Sequence, residues 1–343
     1  MHKGKIRFLR GLIFVVLTIL VATLLILGAD KNPIECYKVF FRGIFGSLNG
    51  FTEVFVKATP LMLAGLGIAI GFRSGFFNIG AEGQMYMGAI AATAVALLPI
   101  NVPNGIHVLL CMLAAFLAAG LWAFIPGILK ARFGISEIIN TLMFNYIAFD
   151  IAGILVRGGL QDKTDYLPQS PVLAPSLSCV LEPTRLHTGF LLALAMTLVV
   201  WWIMERTPAG YEMQIVGSNK RAAQCLGVNV MRGIVLASFL GGGLAGLAGA
   251  SELLGIQHRL LEGLVGSNGY TAILVALLGR NKPWGVCASA IGFAALQVGA
   301  NTMQRQMGIP ASIVSILTGF IVLLLLCDSL LNEWLQRKKE ATH

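Results

Sequence analysis

The chain has 343 residues, of which 56% are hydrophobic and only 12% charged, and its mean hydropathy is +0.78. This excludes a water-soluble globule, in which about a quarter of residues are charged, and points to an all-α integral membrane protein. The net charge of +9 would suggest nucleic acid if it were gathered on a soluble face. Here the basic residues follow a membrane topology instead, so the bilayer is the expected partner and nucleic acid is not.

Leu12 to Leu27 is apolar for long enough to cross a hydrocarbon core of ~30 Å, and it follows the basic lead Lys3, Lys5, Arg7 and Arg10. We expect a retained first helix over residues 1–28 rather than a cleaved signal peptide, because the apolar run exceeds the usual signal core. Ala29 to Gly50 mixes charges and aromatics and reads as an outer interfacial segment. Span two runs inward from about Val54 to Phe72, span three outward from Gly83 to Leu98, span four inward from Ile106 to Leu129, and span five outward from Ile138 to Val156. These form a first-half core over 53–156. The proline-rich stretch Arg157 to His187 is too polar to cross and is predicted outside.

Span six, Gly189 to Met204, leads to a long basic cytoplasmic loop, Glu205 to Arg232. A second-half core over 233–331 follows, with spans at Gly233 to Leu254, Tyr270 to Leu278, Gly285 to Val298 and Ile309 to Leu331. The eighth is too short to cross alone and suggests a broken helix joined to the turn Gly266-Ser267-Asn268-Gly269. About ten transmembrane helices result, in two halves of opposite orientation. Lys and Arg concentrate on the side that places both termini in the cytoplasm. The cysteines lack metal spacing, and a pairing of Cys36 with Cys179 on the outer side stays open.

One stretch breaks this apolar series most sharply: GFRSGFFNIGAEGQMYM, Gly71 to Met87. Its glycines and polar groups suit irregular chain that dips into the membrane and restarts a helix near Gly80. Phe76, Phe77, Asn78, Glu82 and Gln84 are therefore candidate substrate-pathway residues, while an ordinary turn with Glu82 as a helix cap is the alternative. The turn Gly80 to Gly83 has a counterpart in Gly266 to Gly269 at the matching place of the second half. In span five, Glu137, Thr141 and Asn145 recur every four residues beside Asn140, giving one polar face for either interhelical hydrogen bonds or substrate. Gly242, Gly246 and Ala250 share a face suited to close helix packing, and Glu252 is a possible mouth residue.

In the cytoplasmic loop, GSNKRAAQCLG predicts a short helix capped by Ser218 or Asn219 and stopped by Gly227. Its apolar stripe, Ala222, Ala223 and Leu226, lies beside Lys220 and Arg221 and calls for either headgroups or a partner's groove. There is no phosphate-binding loop of the form GxxxxGK[ST], so the chain is not expected to hydrolyse ATP, and no HExxH or GxSxG marks it as a protease or lipase.

The strings ATPLMLAGLGIAIGFRSGFFNIGAEGQMYMGA, SEIINTLMFNYIA and GYEMQIVGSNKRAAQCLGVNV resemble the permease subunits of bacterial ABC importers for ribose, other simple sugars and nucleosides. They are most similar to the nucleoside branch, which works with basic-membrane-protein receptors, over roughly Thr52 to Leu331. Related branched-chain amino-acid permeases share the glycine-rich style but not FNIGAEGQ. The resemblance implies a multi-pass protein of the bacterial inner membrane in which Ser218 to Gly227 is the coupling helix of an ABC ATPase subunit, with Lys220 and Arg221 at the contact. Asn219-Lys220 stands where a proline is frequent after the asparagine. It also implies an extracytoplasmic substrate-binding protein at Leu167 to Pro183 and a second permease subunit, identical or not. ATP and Mg would sit on the partner ATPase, with no cofactor on this chain. Aromatic and amide groups of FFNIGAEGQ and span five would suit a nucleoside. The rival is an ion-coupled secondary transporter using Glu82, Glu137 or Asp150; a membrane enzyme lacks a catalytic constellation.

Overall fold

The computed structural model describes residues 16–164, 166–310, 316, 319 and 320. Among them the chain is helical, with β pairing limited to two isolated bridges, Gln169 with Leu261 and Cys179 with His187. The helices are α1 (Val16–Leu27), α2 (Pro33–Phe45), α3 (Leu48–Arg73), α4 (Ala81–Ala96), α5 (Asn104–Phe133), α6 (Glu137–Arg157), α7 (Gly189–Arg206), α8 (Pro208–Ser218), α9 (Lys220–Cys225), α10 (Val230–Glu252), α11 (Asn268–Leu278) and α12 (Pro283–Met307). Six of them, α3, α5, α6, α7, α10 and α12, are long and apolar enough to cross a membrane. The tenth predicted span, Ile309 to Leu331, and the start of the first lie largely outside the described residues.

Several boundaries differ from the sequence reading for local reasons. The interfacial segment becomes α2, started by Pro33 and capped by the Asn32 side chain on the Ile34 amide, and α3 begins at Leu48, ahead of the predicted Val54. The loop 205–232, expected on the cytoplasmic side, holds two helices rather than one, since Thr207 caps a helix led by Pro208. α10 continues past Glu252 as a π-helical turn, Leu253–Gln257, ended by His258 in the left-handed region.

The chain divides into two compact units, one drawn from residues before Thr52 and after Ala294, the other Thr52–Ala294. In the first, Ile26, Cys36, Met303 and Ile309 form a small core, and the missing Cβ of Gly43 makes room for Thr302. Cys36 and Cys179 are free thiols.

In the second unit α3 and α10 are buried along most of their length and form the centre. Lipid gives helices no hydrophobic reason to associate, so close van der Waals approach has to do it. The glycines of α10 provide that approach on more than the one face the sequence suggested. A Cβ at Gly242 would lie 2.3 Å from that of Ala123 on α5, one at Gly249 would lie 2.0 Å from the Met85 carbonyl on α4, and one at Gly241 would lie 2.8 Å from the Gly67 carbonyl on α3.

The proline-rich stretch after α6 is strapped along the π turn and the loop beyond it. Leu177 N donates to the Leu254 carbonyl at 3.0 Å, Leu173 N to the His258 carbonyl at 2.9 Å and Ser170 N to the Leu260 carbonyl at 2.8 Å. Two hydrogen bonds from Thr164, with Arg259 nearby, hold the half-buried Asp162 carboxyl below its usual range. His187 closes the strap: its ring is buried, its Nδ1 accepts from Gly189 N at 3.2 Å, and a Cβ at Gly255 would lie 2.6 Å from its Nε2.

Burial, with His258 nearby, lowers the His187 pKa from 6.5 to about 4. The folded protein thus keeps His187 neutral while the unfolded chain takes up a proton below 6.5, so stability falls as pH drops from 6.5 towards 4. Thermal unfolding of the detergent-solubilised protein should show a loss of about 2 kcal/mol between pH 7 and pH 5, and His187→Asn should flatten that part of the profile.

Candidate functional site

The α3–α4 break is built from backbone groups that a bilayer would leave unsatisfied. α3 ends at Arg73, Gly75 turns the chain at φ +71°, and residues 76–79 run without helix until α4 starts after Gly80. Side chains supply the missing bonds. Asn78 Oδ1 accepts from Gly80 N at 2.8 Å, and the Asn78 and Gln84 amides exchange hydrogen bonds at 2.9 and 3.1 Å. From α6, the Thr141 hydroxyl accepts from Ile79 N at 3.1 Å and donates to the Glu137 carbonyl at 2.7 Å. Asn145 Oδ1 accepts from Gly83 N at 2.9 Å, while its amide donates to the Ile79 carbonyl and the Tyr270 hydroxyl at 3.0 and 3.2 Å.

Glu82 joins this break to the second one. Its Oε1 accepts from Ser267 N at 3.0 Å and its Oε2 from Gly269 N at 2.7 Å. The carboxylate sits in the first turn of α4 and at the N-terminus of α11, satisfying two of the amides that a helix start leaves open and facing the positive end of its dipole. A Cβ at Gly269 would lie 2.4 Å from Glu82 N, so glycine is what lets the two turns touch. The sequence paired these turns by position; the structure brings them into contact, and Glu82 caps the other helix rather than its own.

Of the predicted pathway residues, Asn78, Glu82, Gln84 and Asn145 are thus buried and bonded within this clasp. Glu137 stands at the foot of α6 in an ion pair with Lys130 at 2.5 Å. Asn140 has its amide nitrogen buried without a hydrogen-bond partner among the described residues. Phe76 is fully buried, whereas Phe77 is 48% exposed and packs on Phe72 with ring centroids 5.0 Å apart.

Phe76 links the break to the loop 205–232, for it packs with Val216 of α8, Ala223 of α9 and Ile234 of α10. α8 crosses α3 closely, since a Cβ at Gly217 would lie 2.1 Å from the Arg73 carbonyl. Arg73 reaches Glu205 and Gln214 at 2.7 and 2.6 Å. The cap of α9 is Asn219, whose Oδ1 accepts from Arg221 N and Ala222 N at 3.0 and 3.1 Å; Ser218 ends α8 and donates to the Ile215 carbonyl. The predicted apolar stripe divides. Ala223 is buried against the protein, while Ala222 and Leu226 face outward with Lys220 and Arg221, Leu226 being 69% exposed. Gly227 then turns the chain at φ +75°.

A cavity of about 620 Å³ opens between α4, α6 and the loop before α11. Tyr86, Phe149, Asp150, Ile154, Arg157 and Glu262 line it, and the Tyr86 and Phe149 rings meet edge-on at 5.1 Å. The sequence reading did not place these residues together. A signal was present, because Tyr86 follows Glu82 and Phe149 follows Asn145 by one helical turn. Among the described residues no group of three His, Cys, Asp or Glu side chains is placed to hold a metal ion.

The family model described as branched-chain amino acid transport system / permease component matches residues 50–326. The guanosine ABC transporter permease protein NupP of Bacillus subtilis is 37% identical over 328 residues, covering 94% of each chain. The glucose ABC transporter permease protein TsgB13 of Haloferax volcanii is 34% identical, covering 93% of this chain and 88% of its own. The nucleoside ABC transporter permease protein NupB of Lactococcus lactis is 29% identical, covering 99% and 96%. No solved structure matches.

Proposed function

Because this chain belongs to the branched-chain amino acid transport system / permease component family, we propose that it is the membrane-spanning permease subunit of an ABC importer for nucleosides in the bacterial inner membrane. The observation that carries the reading is the α8–α9 segment, which offers Arg221 and Leu226 outward while Ala223 anchors it to Phe76 at the α3–α4 break. A pull on α9 by an ATPase subunit would therefore reach the break directly. Nucleoside as substrate is supported by the likeness to the guanosine and nucleoside permeases, and a simple sugar is the second reading, favoured by the glucose permease.

In this reading ATP and Mg act on the partner ATPase, a second permease subunit completes the pore, and a receptor delivers substrate at the outer strap. α1, the six long spans, the short helices α4 and α11 and the predicted Ile309 to Leu331 would make ten membrane segments in two inverted halves, with both termini inside. The meeting of the two broken-helix turns at Glu82 supports that symmetry.

Subunit composition tests the proposal. Extracted from native membranes in mild detergent, the chain should carry an ATPase subunit with it, and Leu226→Arg should release that subunit while leaving the fold intact. A chain that purifies alone and transports on an ion gradient would refute the reading.

A further inference from the structure

The cavity between α4 and α6 contains a group that lipid would not accept. Asp150 lies 13 residues into α6, about 20 Å along a helix rising ~1.5 Å per residue, and is therefore well inside a ~30 Å core. It is exposed on this chain and forms no ion pair with any cation among the described residues. An ionisable side chain at such depth faces a water-filled passage or protein. The opposite wall leads to the same conclusion, because residues 258–267 descend without helix and turn at Gly263 (φ +80°) and Gly266 (φ +56°). Irregular backbone is stable at membrane depth only where it lines a cavity or is covered by protein.

We propose that this cleft is a transit site for an uncharged nucleoside, with the Asp150 carboxylate accepting hydrogen bonds from the ribose hydroxyls and the Tyr86–Phe149 pair packing against the base. This rests on the nucleoside reading above. The volume falls within the ~300–1,000 Å³ usual for small-molecule sites, and an aromatic wall beside the charged groups Asp150, Arg157 and Glu262 suits a ligand that is flat at one end and hydroxylated at the other. Charge narrows the class further. Arg157 is already paired with Glu262 at 2.9 Å, across the space left by Gly153, so Asp150 leaves the cleft net negative and hostile to phosphate. Nucleosides should pass and their 5′-monophosphates should not.

The test uses the complete transporter in proteoliposomes with internal ATP and receptor. Wild type should take up guanosine and not its monophosphate; absence of any ATP-dependent nucleoside uptake would defeat the function reading itself, before this site is in question. Given wild-type uptake, Asp150→Asn should lower it about tenfold or more, the effect of losing a charged hydrogen-bond acceptor, and Asp150→Glu should restore most of it. Normal uptake by Asp150→Asn would overturn the proposal. Because that variant could also fail to assemble, Ile154→Cys, with Cys179 and Cys225 changed to Ser, supplies a second readout. A membrane-impermeant thiol reagent should modify Cys at that position, and guanosine should slow the reaction; no modification would place this wall against lipid and overturn the site.

Discussion

Replacing Glu82 by alanine is expected to cost the protein its fold before it costs any step of transport. The substitution leaves Ser267 N and Gly269 N without acceptors in a buried site, and each stranded amide is worth about 1–3 kcal/mol. The combined loss, about 2–6 kcal/mol, rivals the whole margin of many folded domains. Thermal unfolding and gel filtration of the detergent-solubilised protein would show it, as a strongly lowered midpoint and a shrinking monodisperse fraction. Glu82→Gln separates this account from its rival. A glutamine retains one acceptor and turns an N–H group towards an amide, so the midpoint should still fall; an ion-coupling carboxylate would give a normally folded protein with no transport.

The second large effect is expected at α9, the proposed ATPase-docking segment, where adjacent positions should behave in opposite ways. Arg221→Ala combined with Leu226→Ala removes two outward-facing side chains that hold no partner among the described residues, so the midpoint should stay near wild type. Uptake driven by ATP should nevertheless fall about tenfold or more, because loss of ~1.4 kcal/mol at a docking surface already has that consequence. Phe76→Ala should show the reverse order of events. It empties a fully buried site shared by α8, α9 and α10, at about 3–5 kcal/mol, and should destabilise the protein itself. Equal thermal loss in both variants would mean that α9 is ordinary core rather than a surface held out to a partner.

The α3–α4 break was legible from sequence because its signal is local. Glycine, arginine and amides between two apolar runs interrupt a helix, whether as chain dipping into the membrane or as an ordinary turn, and the interruption lies where that composition placed it. The engagement of its polar side chains was not legible. Asn78, Gln84 and Asn145 have the same composition whether they bind substrate or stitch backbone, and only the distances show them spent on stitching. Glu82 reaches amides 185 and 187 positions away, a pairing that no periodicity within either segment encodes.

The two adjacent phenylalanines illustrate the same limit, since Phe76 turns into the core and Phe77 out of it on irregular chain that has no fixed period. In α9 the cap at Ser218 or Asn219 and the stop at Gly227 did predict a helix, yet six residues are too few to separate a stripe facing the protein from one facing outward. Asp150 stood out in sequence only as a coupling carboxylate of the rival transporter. Its place in a cleft became visible once Tyr86 and the loop at Glu262 were packed beside it.

The most direct measurement is guanosine uptake into proteoliposomes that contain this chain with its co-purified subunits, comparing internal ATP and receptor with an imposed proton or sodium gradient. The account predicts uptake only with ATP and receptor, at a rate indifferent to the gradient. Uptake that follows the gradient and proceeds without ATP would contradict it.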